Sequence, residues 1–140
     1  MECSYHKYEC DCIVFSKTMT KTYFPPKGGG SATIGIDRHF LERAADNWYK
    51  GDCKALHDLR AKIFCGAQEG EMRWAVGTKP NGRLYCQIYL EPPVASRVLG
   101  EKQELLQNNG AVFRLCHKEG NTDLYISAKE PELPDLFEYG

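Results

Sequence analysis

The stretch CSYHKYECDC brings Cys3, His6, Cys10 and Cys12 within ten residues, a set that could hold zinc through thiolate and imidazole. Two thiolates on one zinc, each with a Zn–S bond of ~2.3 Å, must lie within about 4 Å of each other. The order Lys7-Tyr8-Glu9-Cys10-Asp11-Cys12 alternates instead, and a strand spaces its same-face neighbours roughly 6.5–7 Å apart. Cys3 also falls on the face opposite His6, Cys10 and Cys12, and no Gly or Pro in 3–15 bends the chain into a knuckle. The alternation favours buried thiols over a metal site, so no metal and no cofactor is expected.

Nucleophilic chemistry would need a thiol beside a base, with His6, His39, His57 and His117 as the candidates. A reactive cysteine requires a polar, partly exposed setting. Cys86 alternates with Leu84 and Ile88 and reads as core. Cys53 opens a predicted helix, where the dipole would lower its pKa, and Cys116 and His117 are strand neighbours that face opposite ways. No catalytic residue is assigned. The run PPKGGGSATIG lacks the Gly-Lys-Ser/Thr of a phosphate-binding loop and the Gly-x-Gly-x-x-Gly spacing. It remains a loop whose Lys27, ahead of Asp37-Arg38-His39, could close over an anion.

The elements that would position these residues follow from periodicity. A strand runs from Lys7 through Phe15, and TMTKTYF is a second extended piece expected to pair with it. Asp37 caps a helix over 38–50 with Phe40, Leu41, Ala44, Ala45 and Trp48 on one face. Asp52 caps another over 53–65 with Leu56, Leu59 and Ile63, closing an αα-hairpin. The second helix is basic through Lys54, His57, Arg60 and Lys62, but its turn is too short for a helix-turn-helix. In EMRWAVGTKPNGRLYCQIYLE, Met72, Trp74 and Val76 alternate, Pro-Asn-Gly turns, and Leu84, Cys86, Ile88 and Leu90 alternate back. Pro92-Pro93 start a helix with Val94, Val98, Leu99, Leu105 and Leu106 inside. AVFRLCHK, EGN and TDLYISA form a last hairpin. The order ββααββαββ predicts an α+β domain over 1–128, a mostly antiparallel sheet of two to three hairpins packed on one side by about three helices. Residues 129–140 form an acidic, Pro-containing extended tail.

If Leu84, Cys86, Ile88 and Leu90 face the helices, then Arg83, Tyr85, Gln87 and Tyr89 face away, joined by Arg73 from the partner strand. The last hairpin adds Arg114 and Tyr125 to the same side. A sheet face of arginines and tyrosines, acid-poor until Glu91, suits stacking on bases or anchoring a protein. A solvated sheet face, where β propensity alone favours tyrosine, is the bland alternative.

Composition narrows the class. The 140 residues carry a net charge of -1 with 42% apolar and 26% charged residues, an ordinary folded chain without a global field for nucleic acid or membrane. The last twelve residues hold one lysine against four carboxylates, which leaves the rest mildly basic. Seven irregularly spaced cysteines, no apolar leader and no spanning segment predict a cytoplasmic protein with reduced thiols. The expectation is a small non-enzymatic binder: an inhibitor, adaptor or regulator such as a mobile element encodes. It would engage a protein or a nucleotide or nucleic-acid ligand through Arg73, Arg83, Tyr85, Gln87, Tyr89, Arg114 and Tyr125, with Lys27 from the loop. The alternative is a small enzyme on nucleotides or nucleic acid, using that loop and His39.

Overall fold

The computed structural model describes residues 12–25, 29–118 and 120–128; Cys3, His6, Cys10, Lys27 and the tail 129–140 lie outside them. In chain order the elements are β1 (Ile13–Lys17), β2 (Ala32–Ile36), α1 (Arg38–Trp48), β3 (Arg60–Cys65), β4 (Gln68–Thr78), β5 (Leu84–Leu90), α2 (Pro92–Val98), α3 (Gln103–Asn109), β6 (Ala111–Lys118) and β7 (Asn121–Ala128). Three short 3-10 turns, Lys21–Tyr23, Cys53–Leu56 and Gly100–Lys102, join them.

The expected mostly antiparallel sheet of two to three hairpins does not form. Among the described residues all seven strands join one mixed sheet, ordered β1-β6-β7-β3-β4-β5-β2 and curled into a half-barrel. β3 and β7 run parallel at its centre, with Phe64 opposite Tyr125. One set of alternate residues faces inward: Ile13 and Phe15, Ile34 and Ile36, Ala61 and Ile63, Trp74 and Val76, Cys86 and Ile88, Phe113 and Leu115, Leu124 and Ile126. The helices meet them with Leu41, Ala44, Val98, Leu99 and Leu106 in a single core. Gly70 lets α2 approach β4 closely, since a Cβ there would fall 2.5 Å from a Val94 methyl.

Three differences from the expected elements have physical causes. Residues 53–65 are not a helix. Asp52 does cap, accepting from the Lys54 amide at 3.1 Å, but only one 3-10 turn follows. Asp58 takes a left-handed φ of 67°, and Ala61, Ile63 and Cys65 then point inward at every second position. Leu56, Leu59 and Ile63 fit a helical stripe equally well; pairing with β4 on one side and β7 on the other decides for strand. TMTKTYF is not a strand either, because its buried residues, Met19 and Phe24, are five apart and could not share a sheet face. The partner of β1 is β6. Instead ATIGI, within the presumed glycine loop, is the edge strand β2, with Ala32, Ile34 and Ile36 inward. The helix from Pro92 breaks at Gly100, and the phase shift turns Leu105 outward to 47% exposure while Leu106 stays buried.

Candidate functional site

The β4–β5 register sets Arg73 opposite Tyr89, Ala75 opposite Gln87 and Gly77 opposite Tyr85. Trp74, Val76, Cys86 and Ile88 are buried between them, so the pleat puts Arg73, Tyr85, Gln87 and Tyr89 on the outer face. The Arg73 guanidinium lies over the Tyr89 ring, 5.2 Å from its centroid, and 3.6 Å from the Asp58 carboxylate. Arg60 pairs with Glu71 beside it. This end of the face is therefore charge-balanced rather than acid-poor. The Tyr85 ring lies across Gly77, where a Cβ would meet its hydroxyl at 2.6 Å; the glycine makes room for the ring.

Positive charge concentrates at the other end. A cleft of about 920 Å³ opens between β2, the start of α1 and β5, lined by Gly35, Arg38, Lys79, Arg83, Tyr85 and Gln87 among others. Arg38 is shared with Glu42 at 3.4 Å, both side chains exposed. Asp37, also at the cleft, turns its carboxylate to the helix, accepting from the His39 amide at 3.1 Å. Among the described residues no carboxylate lies within ion-pair distance of Lys79 or Arg83. Gly35 faces Gln87 across the β2–β5 pair, and no atom lies within 4 Å of where its Cβ would stand.

Arg114 and Tyr125 do sit opposite each other on β6 and β7, on the outer face, but far from this cleft. Tyr125 stacks on Phe64 with centroids 4.5 Å apart and planes at 8°, and Phe64 pairs with Glu69 of β4. Tyr85 pairs with Gly77, eight residues farther along that strand, about 26 Å at strand spacing. The expected single face is thus two groups: Arg73, Arg83, Tyr85, Gln87 and Tyr89 in one, Arg114 and Tyr125 in the other. Lys27 lies outside the described residues.

Sequence reasoning missed a polar cluster inside the half-barrel. Tyr49 Oη and His117 Nδ1 both contact Thr122 Oγ1, at 2.6 and 3.0 Å. Trp74 donates its indole N–H to the Thr122 carbonyl at 3.0 Å, and Trp48 stacks on the His117 ring with centroids 5.3 Å apart. Burial lowers the His117 pKa, opposed by Asp123, and raises that of Tyr49. His117 and Thr122 are cross-strand partners, a pairing that follows from the EGN turn; the contribution of α1 does not follow from local pattern.

Three of the described cysteines are poor nucleophiles. Burial pushes the thiols of Cys53, Cys65 and Cys86 up, that of Cys86 to about 12. For Cys53 this reverses the expected helix effect, because only one 3-10 turn follows it and Glu42, Asp46 and Asp52 add negative potential. His117 turns inward while Cys116 lies on the other face beside Cys12. His57 accepts the Val76 amide at 3.1 Å through Nδ1. Among the described residues no three His, Cys, Asp or Glu side chains cluster as metal ligands, and no helix is long and apolar enough to cross a membrane. No family model, curated protein or solved structure matches the chain.

Proposed function

We propose that this chain is a cytoplasmic binding protein, without catalytic activity of its own, for an anionic macromolecular or nucleotide-like ligand. The ligand's anionic groups enter the cleft at Arg38, Lys79 and Arg83, and its planar or apolar parts lie along Tyr85, Gln87 and Tyr89. The observation that supports this reading is that Arg38 of α1 converges with Lys79 and Arg83 of the β4–β5 turn on one open cleft, the latter two without a carboxylate partner among the described residues. Unneutralised charge in a concave site raises the local anion concentration and speeds association. Arginine and tyrosine beside it provide planar contact at low entropic cost. The raised thiol pKa values argue against Cys53 or Cys86 as a catalytic nucleophile, and the Asp37 carboxylate is engaged as a helix cap.

Native mass spectrometry of protein purified from its own host tests the proposal. The expected result is a bound species, or a fluorescent single-stranded oligonucleotide captured in vitro, that Arg83→Glu releases. A ligand that stays bound in Lys79→Glu/Arg83→Glu would place the site elsewhere. Turnover of a nucleotide that disappears in His39→Ala would replace the binder by an enzyme.

A further inference from the structure

Cys12 precedes β1 and Cys116 lies in β6, and the β1–β6 register makes them face each other. Ile13 pairs with Leu115 and Val14 with Arg114, so the next step of the antiparallel ladder sets residue 12 opposite residue 116. Directly opposite residues of such a ladder hold their Cβ atoms about 4.5–5.5 Å apart, at the upper edge of the ~3.5–4.5 Å that a disulfide spans. The sulfurs have closed the remaining gap: Sγ to Sγ is 2.7 Å, only about 0.7 Å beyond a disulfide bond. The two positions differ in access. Cys12 is half-buried, whereas Cys116 is 1% exposed. Cys65 and Cys86 are both buried in the core, and their thiols are pushed up.

We propose that Cys12 and Cys116 are a thiol–disulfide exchange site that closes to a cross-strand disulfide with a low-molecular-weight disulfide such as oxidised glutathione. The more accessible Cys12, as thiolate, attacks one glutathione sulfur; a mixed disulfide forms and one glutathione thiolate leaves. Cys116, as thiolate, attacks Cys12 Sγ, the Cys12–Cys116 bond forms, and the second glutathione thiolate leaves. The two cysteine thiols give up two protons and two electrons, and one glutathione disulfide becomes two glutathione thiols. The bond ties the edge strand β1 to β6 and closes a loop between positions 104 residues apart. The oxidised protein should therefore migrate faster on a non-reducing gel and melt at higher temperature than the reduced form.

The experiment equilibrates the full chain with glutathione at graded ratios of oxidised to reduced form, blocks remaining thiols by alkylation, and maps tryptic peptides. Trypsin releases Cys116 in residues 115–118 and Cys12 in residues 8–17, a fragment that also contains Cys10. The expected product joins these two peptides, persists in Cys10→Ser and disappears in Cys12→Ser. In Cys116→Ser, glutathione should remain on Cys12 at high ratios of oxidised to reduced glutathione, because the internal thiolate that displaces it is gone. Linkage through Cys10, a stable glutathione adduct on wild-type Cys12, or two sulfurs that stay alkylatable at every ratio would each overturn the proposal. So would a requirement to strip stoichiometric zinc before the link forms. The wild-type and Cys10→Ser results decide these points even if a Cys116 variant fails to fold.

Discussion

The two ends of the outer sheet face contain the same kinds of residue in different circumstances. Around Arg114, Tyr125 and Phe64, the aromatic rings lie on each other and the side chains are half-buried. Around Arg83, the cations line open space and the tyrosine is held flat over a glycine. Between them Arg73 is balanced by Asp58. Residue type thus does not make a binding face. What distinguishes the ends is whether charge and ring surface are already used within the molecule, and this follows from the neighbours each strand brings.

The largest effect that could break this contrast is charge reversal in the cleft. Lys79→Glu/Arg83→Glu should weaken binding of a single-stranded oligonucleotide by about a thousandfold at low salt, since hot-spot losses are typically ~2 kcal/mol each and ~1.4 kcal/mol is tenfold. The deficit should shrink as salt rises. Arg114→Gln should change the same affinity less than about threefold; equal losses at both ends would restore a single extended face. Next is a steric test. Gly35→Leu puts bulk where no atom lies within 4 Å, so it should lower affinity about tenfold while leaving the thermal midpoint nearly unchanged. A large drop in that midpoint would mean the space is not open.

Two smaller effects sharpen the contrast through stability. Phe64→Ala removes the stack on Tyr125 and should cost about 1 kcal/mol in denaturant unfolding without altering ligand affinity; a selective binding loss would make that end a second site. The smallest effect concerns His117. Burial lowers its pKa in the folded protein, so between its unfolded value near 6.5 and the lower folded value the unfolded chain binds more protons. Its contribution is complete above about pH 6.5 and is lost as pH falls through that window. Urea midpoints at pH 7 and pH 5.5 should show this slope, and His117→Gln should flatten it.

The hairpins β4–β5 and β6–β7 were legible because long strict alternation and compact turn residues agree. That alone puts Tyr85, Gln87 and Tyr89 on one side and pairs Arg114 with Tyr125. β3 was illegible because Leu56, Leu59, Ala61, Ile63 and Cys65 satisfy two periods at once, and only pairing on both edges chooses between them. β2 was hidden by the glycines around a five-residue strand. The cleft was beyond reach for a related reason. Lys79 and Arg83 share the β4–β5 turn, but Arg38 joins them only when β2 pairs with β5 and delivers the start of α1 there, a contact between distant segments without a local signature.

The parallel pairing at the centre of the sheet also has a consequence for how the chain acquires its shape. β3, β4 and β5 are consecutive and adjacent, so they can assemble early through short-range contacts. β7 is the last described strand in sequence yet lies third in the sheet, between β6 and β3, and β1 pairs with β6 about a hundred residues away. Pairings this distant delay folding, because much of the chain must be ordered before they form. During synthesis one edge of β3 therefore waits unpaired until β7 has emerged, and an open edge is a template for aggregation. Arg60 is neutralised by Glu71 of β4, which leaves Lys62, exposed on the strand's outward side, as the charge at that waiting edge that discourages another chain from adding to it.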